Sequence, residues 1–407
     1  MMGFLERLAG TDEHRGGLAY PEEWLQEAFT TTASYSGQTV SLEKAMTLTP
    51  FRSALMLISE TVGGLPLKVY RSDRDGEKTT ARDHRAWRML HDMPNPVTPA
   101  HRFWSTIVTH LMLHGNAYIE KLRGPSGVVE ELWPLEPREM IVEWNQNSRT
   151  KSFRLTSQPG EPTRRWTPES ILHISGWSLN GLAGESILQY GRQTIGTALA
   201  REEFEGAFYK NGAVLQQVIE YPGQLNDTAV ERLSAIFKAR YVGSKNAHKT
   251  PVLEEGAKLN TIGSNLVDLD FEAAQQRSRT EIAVMFRLPP AFLAGTTGDS
   301  LTYATVESNM IQLVQHGIAP WTNTIESALS ADRGIFPFAS WFPEFVLEGL
   351  LRADSKARAD FYESLARVNA ITPNEIRARE NMPPLPDGDV LSAVPVAANA
   401  DDDDGET

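Results

Sequence analysis

Apolar and polar positions follow helical and strand periods in turn along this chain, and the clearest passage is 268–331. Phe271, Ala274, Ser278, Ile282 and Met285 recur every three to four residues, so one helical face carries all five. Leu288-Pro289-Pro290 must end that helix, because Pro289 pushes Leu288 out of the α region and neither proline donates a backbone N–H. Residues 295–300, GTTGDS, then offer no apolar side chain as an anchor. The helical pattern resumes at Leu301 and runs to 331, with a kink or break expected at Pro320. Two helices joined by a polar finger suit a moving part better than an enzyme site.

The same reading organises the rest. Residues 41–62 predict a helix start and then an apolar-faced helix that Gly63-Gly64 ends, and 65–70 alternates like a strand. A charged turn follows at 71–80. Thr98-Pro99 opens another helix, threonine as cap and proline in the first turn, with Trp104, Ile107, Val108 and Leu111 on one side as far as His114. Residues 117–122 and 128–135, joined by the 124–127 turn, predict a hairpin whose sheet 140–144 and 153–155 extend. Residues 40–180 are therefore expected to form an α+β domain.

Residues 185–211 are helical in pattern, ended by Asn211-Gly212. A compact unit follows: strand 215–221, helix 227–241 capped by Asn226 or Asp227, strand 251–253 and strand 258–262. A helix is expected over 347–369. Thr372-Pro373-Asn374-Glu375 reads as a capping box before a short helix at 376–380. From Ala393 the chain is small, polar and finally acidic, the composition of a disordered tail.

Composition removes several classes of function. At 407 residues the chain exceeds one typical core. It has no cysteine, which excludes disulfides, thiolate metal sites and cysteine nucleophiles. No run of 18 apolar residues is present, and the acidic start MMGFLERLAGTDEH is unlike a signal peptide, so a cytosolic origin is expected. Net charge is −13, of which Asp401–Asp404 and Glu406 supply −5. Such a chain should not grip nucleic acid, although it can surround it.

Chemical motifs are few. His110 and His114 have a metal-compatible spacing, but Leu111 stands where a zinc protease needs glutamate, and one surface plus one packed histidine is the plainer reading. Gly243-Ser244-Lys245 lacks the glycine spacing of a phosphate loop, and Gly176-Trp177-Ser178-Leu179-Asn180 lacks the final glycine of a nucleophile elbow. Asp268 and Asp270 read as first-turn acids favoured by the helix dipole. The residues alone leave two classes: a ring or scaffold subunit, or a hydrolase whose acids are scattered. The acidic balance and the polar inter-helix loop favour the first.

Several segments resemble, in order, the portal proteins of tailed double-stranded DNA phages, in the large family of long-tailed phages. They are TPFRSALMLISETVGGLPLKVYR (49–71), HGNAYIEKLRGPSGVVEELWPLEP (114–137), ILHISGWSLNGLAGESIL (171–188), AFYKNG (207–212), LEEGAKLNTIG (253–263), RTEIAVMFRLPPAFLAG (279–295) and ITPNEIRARENMPPLP (371–386). The resemblance implies an α+β portal fold assembled into a ring, expected to be a dodecamer. Its parts would be an N-terminal arm (1–40), an α+β wing (41–184), a stem helix (185–213) and a small βαβ-like clip (214–263). A second stem helix (264–288), a channel loop (289–300), a long wing helix (301–334), a helical crown (335–390) and a disordered acidic tail (391–407) would follow. The βαβ content of the clip can alternatively belong to the wing.

The resemblance also implies a function: a channel at one capsid vertex through which terminase packages DNA and through which DNA later leaves. Implied partners are further copies of the chain, the major capsid protein, the terminase large subunit, a head–tail adaptor and DNA without sequence specificity. Neither catalysis nor any cofactor, metal or membrane is implied, and the expected location is the virion after assembly in the host cytoplasm. Thr296, Thr297, Gly298, Asp299 and Ser300 would form the channel loop, and Lys245, His248 and Lys249 a basic patch at the clip's edge facing terminase, adaptor or DNA. A ring of twelve multiplies −13 to about −156, which repels phosphate and leaves DNA no sticking point.

Overall fold

Two apolar helix faces meet first. Helix α1 (Leu42–Thr47) is capped by Ser41, whose Oγ accepts from Lys44 N at 3.3 Å. After Leu48, α2 (Thr49–Gly64) buries Phe51, Leu55, Ile58 and Val62 against Phe103, Trp104, Ile107, Val108 and Leu111 of α3 (Ala100–His114). Each such side chain removed from water contributes roughly 1.5–3 kcal/mol. The computed structural model describes residues 33–73, 78–155, 164–210, 217–241, 257–261, 271–294, 303–350, 355–380 and 382–391. They fall into two units, one ending at Val346 and one starting at Leu347.

Gly63-Gly64 ends α2 as read, with both glycines inside the helix and Gly64 its last residue. Gly63 also serves packing. A Cβ on Gly63 would sit 2.5 Å from the His101 carbonyl oxygen and 2.8 Å from Ser105 Cβ, so the glycine lets α2 and α3 touch backbone to backbone. The start of α3 differs. Pro99 occupies the N-cap position, and Thr98 does not cap; instead Asn95 Oδ1 accepts from Val97 N at 3.0 Å and Thr98 N at 2.8 Å.

The hairpin is present as β3 (Asn116–Arg123) and β4 (Val129–Leu135), but its sheet is completed by β8 (Ile171–Ser175) in the order β4-β3-β8. The strands expected to extend it, β5 (Met140–Asn145) and β6 (Thr150–Leu155), join β7 (Arg165–Trp166) in a separate sheet. Both edges of β3 are taken, by β4 and β8. The second sheet packs on the first, with Met140, Val142, Phe153 and Trp166 against Tyr118 and Ile171 between the two.

Strand β1 (Leu67–Ser72) pairs with β2 (Lys78–Thr80) and with a strand absent from the sequence reading, β11 (Trp341–Phe345). Pro343 hides β11 in the sequence; at the edge of a sheet a proline costs no ladder bond. This pairing draws residues 335–346, assigned to the crown by sequence, into the first unit. The compact insertion holds β9 (Gln217–Glu220), α6 (Asp227–Tyr241) and β10 (Lys258–Thr261). Its strands pair antiparallel, so it is not a βαβ crossover, and the expected strand at 251–253 lies outside the described residues. Asn226 supplies the α6 cap, its Oδ1 accepting from Ala229 N at 2.8 Å.

The long helix is α9 (Tyr303–Gln312), a π-helical stretch (Leu313–Ile318) and α10 (Ala319–Ala331). The break expected at Pro320 becomes this widened turn, with proline in the first turn of α10, where its missing N–H is tolerated. At the far end of α10, Asp332 is buried and pairs with buried Lys121 of β3, which also donates to the Pro168 carbonyl at 3.2 Å. Asp332 Oδ1 accepts from Gly334 N and Ile335 N, so both carboxylate oxygens of the pair are hydrogen-bonded.

In the second unit the expected helix over 347–369 is a short 3₁₀ turn (Leu347–Gly349) and α11 (Ser355–Arg367). The capping box is formed as read: Glu375 N donates to Thr372 Oγ1 at 3.2 Å, and Thr372 N to Glu375 Oε2 at 2.8 Å. It opens α12 (Pro373–Arg379). Asn374 staples the following proline-rich segment onto that helix, accepting from Leu385 N at 2.7 Å and donating to Leu385 O and Asp389 Oδ1 at 3.0 Å.

Two predictions follow from these contacts. Gly63→Ala should destabilise the chain by about 1–3 kcal/mol through overpacking, while Gly64→Ala, with open space around it, should be neutral or stabilise by about 0.5–1 kcal/mol. Urea denaturation of both variants checks this. Asn374→Ala should strip Leu385 N of its acceptor while Gly388 N still pairs with Leu385 O, cost about 1–3 kcal/mol and speed proteolysis around 382–391, read by limited digestion.

Candidate functional site

Three stretches of backbone meet at one corner, at Gly115, Gly176 and Gly184. Gly115 ends α3 with φ +72°. Its carbonyl accepts from Gly176 N at 2.8 Å, and a Cβ on Gly115 would meet the Gly184 carbonyl at 2.5 Å. A Cβ on Gly184 would lie 2.0 Å from Gly115 O. Asn116 completes the corner: Oδ1 accepts from Gly184 N at 2.8 Å, and Nδ2 donates to Gly184 O at 2.9 Å and His114 O at 3.1 Å. His173 Nε2 donates to the same Oδ1 at 3.0 Å while its ring stacks on Tyr118 at 4.8 Å.

From this corner the chain enters α4 (Ile187–Tyr190), capped by Ser186, whose Oγ also donates to Leu113 O. Gly191 then lets the chain pass Met285, whose Sδ would be 2.2 Å from a Cβ there. Next, α5 (Arg192–Lys210) packs on α7 (Phe271–Met285), the helix whose face was read from the sequence. Arg201 Nη1 donates to Ser278 Oγ at 2.7 Å and lies 3.6 Å from Glu281 Oε2; Gln275 Nε2 donates to Glu205 Oε2 at 2.8 Å. Phe204, Phe208 and Tyr209 surround Phe271 at the other end. Burial, and then Glu205, raise the Glu202 carboxyl above its usual range. Residues 33–40, read as part of the arm, lie on α5: Tyr35 N donates to Gln193 Oε1 at 2.8 Å.

The stop after α7 has a defined geometry. Arg287 adopts φ +58°, Arg287 N donates to Val284 O at 3.0 Å and Leu288 N to Ala283 O at 2.8 Å, the paired bonds of a Schellman cap with arginine in the usual glycine position. The short α8 (Ala291–Ala294) follows, and α9 begins at Tyr303. Leu288 packs on the π-helical stretch, its Cδ2 3.3 Å from where a Gly317 Cβ would lie. The end of α7 is thus held against the π-helical stretch. Thr296, Thr297, Gly298, Asp299 and Ser300 lie outside the described residues, as do Lys245, His248 and Lys249.

The histidine pair is corrected: His110 and His114 are both packed, rings 6.4 Å apart, and His110 Nδ1 is buried without a hydrogen-bond partner. Burial, with His110 next, pushes His114 down to about 4. Burial and then Lys151 push His173 down to about 3. Among the described residues no three His, Cys, Asp or Glu side chains are grouped to hold a metal, and no helix is long and apolar enough to cross a membrane. The corner that the sequence reading missed joins residues 68 positions apart, and its only trace was the glycines in HGNAY and LAGES.

The profile of the family described as phage portal protein matches residues 49–381. The probable portal protein of Streptomyces phage phiC31 is 30% identical over 372 residues, 87% of this chain and 78% of that protein. The portal protein of Enterobacteria phage HK97 is 27% identical over 383 residues, covering 92% and 88%. In fold, the chain is similar to the crystal structure of an HK97 family phage portal protein from Corynebacterium diphtheriae, with a TM-score of 0.58 at 17% identity over 78% of this chain and 99% of that one. A chain in the neck of a native gene transfer agent particle, computed with C12 symmetry, gives a TM-score of 0.56 at 21% identity, covering 84% and 93%.

The buried titratable groups set a pH dependence. The depressed histidines bind fewer protons folded than unfolded, so they add stability as pH rises from about 3–4 to 6.5. Glu326 of α10 opposes them: burial raises it to about 7 although Phe345 N donates to it at 2.7 Å, so its contribution falls as pH rises from 4.5 to 7. Glu326→Gln keeps an acceptor for Phe345 N and removes the falling component. Its denaturation midpoint should gain on the parent's progressively between pH 5 and about 7.5, as a pH series of melts would read.

Proposed function

The chain belongs to the phage portal protein family, and from that premise we propose that about twelve copies close into a ring at one capsid vertex. The general role of the family is the DNA packaging channel, and its members are structural proteins. The match over 49–381, spanning both helices of the α5–α7 pair and the roots of the 295–302 segment, carries this reading. In it, α5 and α7 are the stem, 295–300 with Thr296, Thr297, Gly298, Asp299 and Ser300 reaches toward the duplex, and the acidic chain repels phosphate. Hydroxyl contacts of that loop to the backbone are weak and exchangeable, which suits a sliding polymer.

The proposal extends to partners. The ring sits in the major capsid protein's shell, receives the terminase large subunit during packaging and a head–tail adaptor afterwards, and passes double-stranded DNA without reading its sequence. Lys245, His248 and Lys249, in the stretch between α6 and β10, are the proposed contact for terminase, adaptor or DNA. The protein is assembled in the host cytoplasm and ends in the virion.

Negative-stain electron microscopy of the purified chain, with light-scattering mass on the same sample, tests the ring. Particles of about twelve subunits with a central hole are the expected outcome. A monodisperse monomer at every concentration and salt tried would count against self-assembly.

A further inference from the structure

A group of arginines in the first unit lacks the carboxylates that the chain gives to others. Arg138, Arg154, Arg164, Arg165, Arg201 and Arg367 each face a glutamate. Arg71, Arg82, Arg85, Arg88 and Arg333 are exposed, and among the described residues none of them has an ion-pair partner. Aromatic rings gather them. Arg71 of β1 lies 5.5 Å from the ring of Trp341 in β11, Trp341 meets His84 at 4.6 Å, and His84 stacks on Phe336 at 5.5 Å. Arg85 Nη2 donates to the Gly334 carbonyl at 3.3 Å, beside Arg333. Arg82 lies 5.8 Å from the ring of Trp87, which stacks on His91 at 4.8 Å and directly precedes Arg88.

The charge of this surface opposes that of the chain. The acids in the same stretches are Asp73, Asp83 and Asp92, and Asp92 is bonded to His91 at 2.7 Å. Arginine thus exceeds aspartate here, on a chain whose net charge is −13. Burial, and then Arg85, hold His84 below the ordinary histidine range, so it serves as a ring and not as a charge. A guanidinium resting on an indole keeps its charge and is held in place by the ring.

We propose that Arg71, Arg82, Arg85, Arg88 and Arg333, gathered around Trp341 and Trp87, bind the phosphate backbone of double-stranded DNA. Charge complementarity carries the assignment: unpaired guanidiniums on an otherwise acidic chain mark the place where a polyanion is accepted. Both indoles are already engaged, Trp341 by Arg71 and His84 and Trp87 by Arg82 and His91. The surface therefore offers charge and not a stacking platform for unpaired bases. Its arginines come from three separate segments, which suits a long and regularly charged polymer better than a short acidic peptide. The choice of DNA rests on the channel reading above, and none of these residues belongs to the contacts proposed there. The acidic remainder of the chain keeps the contact local, so DNA is touched here without being gripped elsewhere.

Fluorescence anisotropy of a labelled duplex of about 30 base pairs, titrated with the full chain from about 50 to 200 mM salt, tests this. The parent is expected to bind with a log–log salt slope of about −2 to −4.5. The triple variant Arg71→Gln, Arg82→Gln, Arg88→Gln spares the Arg85 bond to Gly334. It should bind at least about tenfold more weakly, with the slope flattened by about 2–3. The matching triple lysine variant keeps the charge and should stay within about threefold of the parent. No binding by the parent at about 50 mM salt, equal affinity of parent and glutamine variant, or a lysine variant as weak as the glutamine one would each overturn the proposal. Polyglutamate that displaces the duplex at least about tenfold better than unlabelled DNA would overturn it in favour of an acidic protein. Electron microscopy of the same samples separates the two readings. Rings without arginine-dependent binding remove this surface alone, whereas arginine-dependent binding by a chain that forms no rings supports the surface and removes the ring.

Discussion

Three stretches of backbone meet at Gly115, Gly176 and Gly184, at the first and last of these more closely than a Cβ permits, and the first unit is arranged around that meeting. The end of α3, the start of β3, the end of β8 and the entry to α4 all pass through it. Asn116 converts proximity into fixed geometry by bonding both polar groups of the Gly184 peptide. His173 and Tyr118 seal the corner, and their burial explains why the imidazole stays neutral and why the phenol holds its proton well above the usual range. The α5–α7 pair inherits its position from this corner through α4, with the Lys121–Asp332 pair fastening β3 to the end of α10.

The chemistry of the chain is that of a conduit support. Some of its charged side chains pair with one another, as Arg201 does with Glu281 and Arg154 with Glu143, and the net surplus is acidic. Polar interactions across the α5–α7 pair alternate with an aromatic cluster around Phe271, a mixture that fixes register as well as stability.

Much of this was legible in sequence because it is local. The α7 face from Phe271 to Met285, the Pro289-Pro290 stop, the β3–β4 hairpin and the Thr372–Glu375 box are each set by neighbours within a few residues. What escaped was set at long range. β11 carries Pro343 and exists because β1 offers an edge; Gly63 shows its packing role only when α3 is laid against it; β8, distant in sequence, takes the second edge of β3 while β5 and β6 form a sheet with β7. The candidate site was legible only in outline: its flanking helices have periods, whereas a corner made of glycines has none.

The cap on α7 has one more consequence. Arg287 and Leu288 turn the chain out of the helix, and Leu288 seats on the π-helical turn at Gly317, so the end of α7 and that turn are joined independently of the segment that links them. The segment is therefore a module in the evolutionary sense. Residues there can be exchanged, added or removed while the frame keeps its shape, and selection can tune how the chain meets its polymer without renegotiating the fold that carries it.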